Sequence, residues 1–206
     1  SEPAPDEGGE VPEPTEEPTE ETPAPAIPET TFLLVDEFTG TGALKLRVPD
    51  TMGPVGAAWQ VQTGNPSLTG AGAVTANNTA RAVIETGGAD VEIVSTFNLG
   101  ADGTGVIFRS SDKSNYLRFS LTRSIWYFQR TVAGVTTTVA TGKATYPLKE
   151  NYTLKVTLSG PTVVFSLNGV VERTITESFN QTATKHGLLC SNSGVRTWDS
   201  FSVRKL

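Results

Sequence analysis

The chain has 206 residues, 22 Asp and Glu against 16 Lys and Arg for a net charge of −6, one Cys and one His. A single cysteine excludes an internal disulfide, and one His with one Cys excludes a structural zinc site, which needs four ligands at close spacing. No apolar run approaches the roughly 18 residues of a membrane-crossing helix, so membrane insertion is not expected.

The charge is unevenly spread. Residues 1–30 hold 10 of the 22 acids, none of the 16 bases and 8 of the 13 prolines. Such a segment has too little apolar surface to offset backbone ordering, and its prolines and like charges favour an extended arm, read here as a tether or docking arm. The remainder holds 12 acids against 16 bases, a net of +4. Its size fits one domain, 31–206, with one core. The dispersed bases and the acidic arm lack the positive stripe that phosphate backbones require, so nucleic acid is not an expected partner.

Helical periodicity is missing, Thr, Val, Ser and Gly dominate, and turn signals recur about every ten residues, the pattern of an all-β sandwich or barrel. Expected strands begin with Thr31 to Phe38, Leu44 to Arg47, a short one around Trp59 to Gln62, and Ala80 to Glu85. Asp90 to Asn98 follows, with Val91, Ile93 and Phe97 on one face and Asp90, Glu92 and Thr96 on the other. The clearest unit is GVIFRSSDKSNYLRFSL, residues 105–121. Val106 and Phe108 alternate with Ile107 and Arg109, and Leu117, Phe119 and Leu121 alternate with Tyr116, Arg118 and Ser120, around a polar turn at Ser110 to Asn115.

Next come Ile125 to Val132, a turn at Ala133 and Gly134, and Thr136 to Ala140. Tyr152 to Leu158 alternates strictly, and Val163 to Leu167 ends in Asn168-Gly169, a type I′ hairpin signal. Gly187 to Cys190 and Trp198 to Val203 close the chain, with Phe201 and Val203 expected beside the first strand. Trp59, Trp198 and Cys190 read as core residues.

Several motifs together, the early DEF, GVIFRSSDKSNYLRFSL, YTLKVTLSG with VVFSLNG, and HGLL…WDSFSV, resemble a concanavalin A-like (laminin-G-like) jelly roll over roughly residues 32–205. In style the chain is similar to minor tail or capsid-surface proteins of tailed bacteriophages. The resemblance implies a two-sheet antiparallel sandwich and, in many members, carbohydrate binding. It also implies a virion structural or decoration role at the particle surface, with other virion proteins as partners through the arm. A secreted or cell-surface bacterial carbohydrate-binding module with a Pro-rich linker is the alternative, and self-association is compatible with either.

Some relatives hydrolyse glycosides, which takes two carboxylates flanking the scissile bond. Asp90 and Glu92 are the nearest candidates, but Gly88, Val94 and Ser95 stand where a further Glu would be needed. His186 with Asp199 and Ser or Cys190 lacks a nucleophile-elbow context. Asp36, Asp102 and Asp199 are candidates for calcium, yet no Asp-x-Asp-x-Asp loop exists. We therefore expect no enzyme, no metal and no cofactor. The sequons at Asn77, Asn151 and Asn180 bear only on a eukaryotic secretory route.

For binding, Arg109, Tyr116, Arg118, Tyr127 and Gln129 fall on the faces opposite the expected core. If their strands are adjacent they form a patch able to bind host-surface glycan, rings stacking on sugar faces and guanidinium and amide groups giving directed hydrogen bonds. Cross-strand pairing on an ordinary β surface would use the same residues.

Overall fold

The structure, a computed structural model, describes residues 31–53 and 55–206; the acidic arm expected at residues 1–30 lies outside the described residues. Seventeen strands are present among them and no helix. In chain order they are β1 Phe32–Asp36, β2 Thr41–Ala43, β3 Thr51–Met52, β4 Gln60–Thr63, β5 Ser67–Thr69, β6 Val74–Ala76, β7 Ala80–Glu85, β8 Val91–Asn98 and β9 Thr104–Asp112. Then follow β10 Asn115–Leu121, β11 Ile125–Val132, β12 Val135–Lys143, β13 Asn151–Ser159, β14 Thr162–Leu167, β15 Val170–Thr176, β16 Lys185–Cys190 and β17 Arg196–Lys205. They form two sheets, and every pairing is antiparallel. One sheet has the order β15-β14-β13-β8-β17-β6-β5-β2, with β1 on β17 and β3 on β1; the other runs β12-β11-β10-β9-β16-β7-β4.

The two-residue alternation decides which side chains meet between the sheets. On the seven-strand side Ala82, Ile84, Val106, Phe108, Leu117, Phe119, Trp126, Phe128 and Leu188 are buried, and on the ten-strand side Ile93, Phe97, Leu154, Val156, Val163, Phe165, Phe201 and Val203. Phe165 inserts from β14 among four rings of the facing sheet, with centroids 6.1 Å from Phe108, 5.1 Å from Phe119, 6.5 Å from Trp126 and 5.1 Å from Phe128. Each such ring contributes roughly 1.5–3 kcal/mol through burial, with about 0.5–1.5 kcal/mol more for a well-placed aromatic pair. Trp59, Trp198 and Cys190 lie in this core, as expected. So do Phe201 and Val203, which pair with Asp36 and Leu34 of β1.

Hairpin turns follow their residue types. Asn168-Gly169 has φ of 49° and 82°, and Ala133-Gly134 has φ of 48° and 82°, both with the two positive values of a type I′ turn. In the central hairpin the ladder runs on to Asp112 opposite Asn115, so the turn is tighter than the six residues expected. Its reversal is held by Asp112, whose carboxylate accepts from the Ser114 amide at 2.7 Å and from Asn115 Nδ2.

The strand expected at Leu44 to Arg47 does not form; pairing stops at Ala43, and Leu46 turns left-handed at φ 66°. The cause is tertiary. Arg47 is drawn back to an ion pair with buried Asp36 at 3.0 Å and another with Asp50 at 2.7 Å, while Trp59 Nε1 donates to Asp36 at 2.8 Å.

Candidate functional site

Across the seven-stranded sheet the residues opposite the core line up in two rows. One row runs Val83, Gly187, Ile107, Arg118, Gln129, Thr138 and the next Arg81, Leu189, Gly105, Ser120, Tyr127, Thr141. Four of the five residues expected to form a patch, Tyr116, Arg118, Tyr127 and Gln129, share this face on the adjacent strands β10 and β11.

The face divides into a polar ladder and a small roofed apolar cluster. In the ladder, Arg118 Nε donates to Gln129 Oε1 at 2.8 Å and Gln129 Nε2 donates to Thr138 Oγ1 at 3.1 Å, a chain across three strands that holds the guanidinium in one plane. Tyr127 stands half-buried beside it. Burial, followed by the like charge of Arg81, lowers the Arg118 pKa, and the neighbouring Tyr116 acts the other way. The guanidinium stays charged regardless, because its ordinary value is so high.

In the apolar cluster Val83, Ile107, Leu189 and Tyr116 pack together on the same face. Arg81 covers Tyr116 with its guanidinium 5.2 Å from the ring centroid, and donates to Tyr116 Oη at 2.8 Å, Lys113 O at 2.9 Å and Thr63 Oγ1 at 3.1 Å. The Tyr116 ring, only 4% exposed, is therefore unavailable for stacking on a sugar, contrary to the sequence reading; it supports Arg81 instead. Beyond Thr63 the face continues into a cleft of about 630 Å³ lined by Lys45, Gln62, Thr63, Asn65 and Ser67, between β4 and the β2–β5 rim.

Arg109 does not belong to the patch. Two residues, Phe108 and Arg109, oppose the single His186 between the pairs Ile107–Gly187 and Ser110–Lys185, a bulge that reorients the chain. Arg109 takes φ 47°, is fully buried, and donates through Nη2 to Gly160 O at 2.7 Å and Asp90 Oδ1 at 3.3 Å, in the β13–β14 turn and the β7–β8 loop.

The other candidate chemistries separate in space. Asp90 is turned to Arg109 and the Gly160 amide, while Glu92 lies on the outward face of the ten-stranded sheet between Arg204 at 2.8 Å and Lys155 at 3.5 Å, so the two carboxylates do not face one site. His186 is buried; its Nδ1 accepts from the Arg109 amide at 3.2 Å and its Nε2 meets Gly88 O at 2.9 Å, so both ring nitrogens are engaged by the backbone. Cys190 Sγ donates to Asn78 O, and burial raises its pKa. Asp36 serves Arg47 and Trp59, Asp102 serves Arg123, and Asp199 is raised by burial, so the three lie on separate elements. Among the described residues no group of three His, Cys, Asp or Glu is placed to hold a metal ion.

Sequence reasoning missed Arg81. Its parity in ARAVIE, opposite Ala80, Ala82 and Ile84, puts it outward, but nothing local says that β7 lies two strands from β9, on the far side of β16.

No family model matches the chain, and no curated protein matches it. Solved structures do. The fold, two antiparallel sheets in a jelly-roll sandwich, is the one these structures share. It is similar to a non-specific endo-β-1,3(4)-glucanase of family GH16, with TM-score 0.62 at 10% identity over 87% of this chain and 93% of that one. It is also similar to an immunostimulatory antigen and pseudo-β-1,3-glucanase of Mycobacterium tuberculosis, TM-score 0.51 at 15% identity over 85% and 99%. A carbohydrate-binding module, CBM66, from Bacillus subtilis matches with TM-score 0.50 at 16% identity over 71% and 91%. At such identities the likeness carries the fold, which hosts both glucanases and binding modules.

Proposed function

We propose that this jelly roll is a non-catalytic glycan-binding module. The reading rests chiefly on the Arg118–Gln129–Thr138 ladder beside Tyr127, which combines directed donors and acceptors with a flat ring on one sheet face. Hydrolysis would need an acid and a nucleophile or base facing each other across a sugar, and the two nearest carboxylates from the sequence reading point to different parts of the molecule. The names of the similar structures, a carbohydrate-binding module and a pseudo-glucanase among them, fit a binding role on this fold.

The test is a glycan array with the full chain, repeated with Tyr127→Ala and Arg118→Ala. Binding that both substitutions weaken tenfold or more supports the site; unchanged binding in both removes it. Incubation with β-glucans should release no product, and cleavage would make the module an enzyme.

We further propose that the module is a bacteriophage virion component, a minor tail or capsid-surface protein, with residues 1–30 as its docking arm. Its support is the sequence resemblance and the sharp change of composition after residue 30. A secreted or cell-surface bacterial carbohydrate-binding module fits the same site, and the likeness to CBM66 favours it equally. Deleting residues 1–30 separates the two. The virion reading expects the truncated chain to fold but not to enter particles, and full incorporation would refute it.

A further inference from the structure

We infer that the ligand of this face is an acidic glycan, its sugar carboxylate or sulfate ester seated on the free edge of Arg118. The inference rests on the glycan-binding reading above and deepens it.

Most arginines of the domain are neutralised within it. Arg47 pairs with Asp36 and Asp50, Arg123 with Asp102, Arg130 with Glu177, Arg204 with Glu92 and Arg109 with Asp90. Buried Arg196 is enclosed by the carbonyls of Asp102, Ser191, Asn192 and Gly194. Arg173, exposed on the edge strand β15, has no acid partner among the described residues either, but its guanidinium lies over the Trp126 ring at 5.8 Å, away from this face. Arg81 and Arg118 differ from all of these. They share one sheet face, and among the described residues no carboxylate comes within ion-pair distance of either. The two acids on the strands of this sheet are engaged in local turns, Glu85 on the Gly87 amide and Asp112 on the Ser114 amide and Asn115.

Arg81 is nevertheless occupied at both terminal nitrogens by neutral acceptors, the Tyr116 hydroxyl, Lys113 O and Thr63 Oγ1. Arg118 is not. Its one protein partner among the described residues is Gln129 through Nε, and neither terminal nitrogen is among the sealed, unpartnered atoms, which include Arg109 Nη1 and Arg196 Nε. The two Nη groups therefore open to solvent from a guanidinium already held in plane. Two parallel N–H donors on such an edge match the two oxygens of a carboxylate or of a sulfate ester, and charge-assisted pairs of this kind are about twice as strong as neutral ones. Arg81 adds a second positive charge to the field at that point without competing for the anion. Tyr127, one row away on the neighbouring strand, offers a ring to the sugar that carries the acid.

The experiment titrates the full chain with three pairs of oligosaccharides: oligogalacturonate and its methyl ester, a sialylated glycan and its asialo form, and a sulfated galactan and its desulfated form. The expected result is at least tenfold tighter binding to the acidic member of a pair, weakened as NaCl is raised from 50 to 500 mM. The carboxylate pairs and the sulfate pair show which anion is read. Arg118→Gln should bring the acidic member to the affinity of its neutral partner, while Arg118→Lys should keep part of the difference. Tyr127→Ala should weaken both members alike. Equal binding of acidic and neutral members would overturn the inference and leave the glycan-binding reading intact. Binding neither to any of the six nor to any glycan of the array would overturn both, and binding confined to neutral glycans of the array would overturn the inference alone.

Discussion

The two sheets of this sandwich treat their outward faces in opposite ways. On the ten-stranded sheet polar groups answer one another across strands: Arg204 sits 2.8 Å and Lys155 3.5 Å from the Glu92 carboxylate, Thr96 and Thr153 share a hydroxyl bond of 3.0 Å, and Asn98 donates to Asn151 at 2.8 Å. On the seven-stranded sheet two arginines stand with no acid partner among the described residues, over a floor in which Gly105 and Gly187 remove two side chains from the middle of the face. A surface whose charges are matched internally gains little by binding an ion, whereas an unmatched, partly desolvated cation gains directly. The difference is what singles out the seven-stranded face for the proposed ligand.

The strongest way to break that contrast is to fill the floor. A Cβ on Gly187 falls on the carbonyl oxygen of Ala82 and the Cα of Val83, backbone atoms that cannot step aside. Gly187→Ala should therefore destabilise the domain by about 3 kcal/mol or more, lowering the melting temperature by on the order of 10 °C. Calorimetry on the purified variant measures this, and a shift under 2 °C would show that the strands at β7–β16 are looser than described.

A second expectation concerns pH, and it too belongs to the open sheet. Burial, and after it the charge of Arg109, lowers the His186 pKa from 6.5 to about 4, against the opposing pull of Gly88 O and Glu85. The unfolded chain then binds the extra proton first. Stability is complete above about 6.5 and declines as pH falls toward 4, by on the order of 3 kcal/mol. Asp50 acts in a lower window. Burial pushes its carboxyl up, but the Thr39 hydroxyl and the Thr39 and Glu37 amides outweigh this and hold it at about 2, so its contribution disappears only between 3.8 and 2. Melting temperature followed from pH 7 to 4 should fall in the native chain and stay nearly flat in His186→Gln. An equal fall in both would assign the titration to other groups.

The closed face gives a smaller effect. Glu92→Gln leaves Lys155 and Arg204 without their acid, but both cations are 37–44% exposed, so solvent screening limits the loss to about 1 kcal/mol or less. Glycan affinity should not change, since the residue lies on the other sheet. Denaturant unfolding reads the first point and a binding titration the second; altered affinity would mean that the two faces are coupled.

Much of this contrast is legible in the chain. Alternation in Asn115–Leu121 and Ile125–Val132 sorts Leu117, Phe119, Trp126 and Phe128 inward and Arg118, Tyr127 and Gln129 outward, because a strand has only two faces. Arg109 escaped because the bulge opposite His186 is a two-strand event, and the position carries an arginine at positive φ with no glycine to announce it. Arg81 escaped because strand order is set by pairings remote in sequence, β16 entering between β7 and β9 from about 100 residues away. Leu44 to Arg47 looked like a strand until Asp36 and Asp50 claimed the arginine.

The finest test separates support from contact within the open face itself. Tyr116→Phe removes one hydrogen bond to Arg81 while keeping the ring beneath the guanidinium and the two other acceptors, Lys113 O and Thr63 Oγ1. A net loss of about 0.5–1 kcal/mol in stability is the ordinary value of such a bond. Because Arg81 keeps its place and Tyr116 is sealed beneath it, affinity for an acidic oligosaccharide should move by less than threefold, against tenfold or more for Arg118→Gln. A large loss of affinity in Tyr116→Phe, with the fold intact by calorimetry, would mean that Arg81 swings aside on binding and that the phenol touches the sugar. The roof over Val83, Ile107 and Leu189 would then be a movable part of the site.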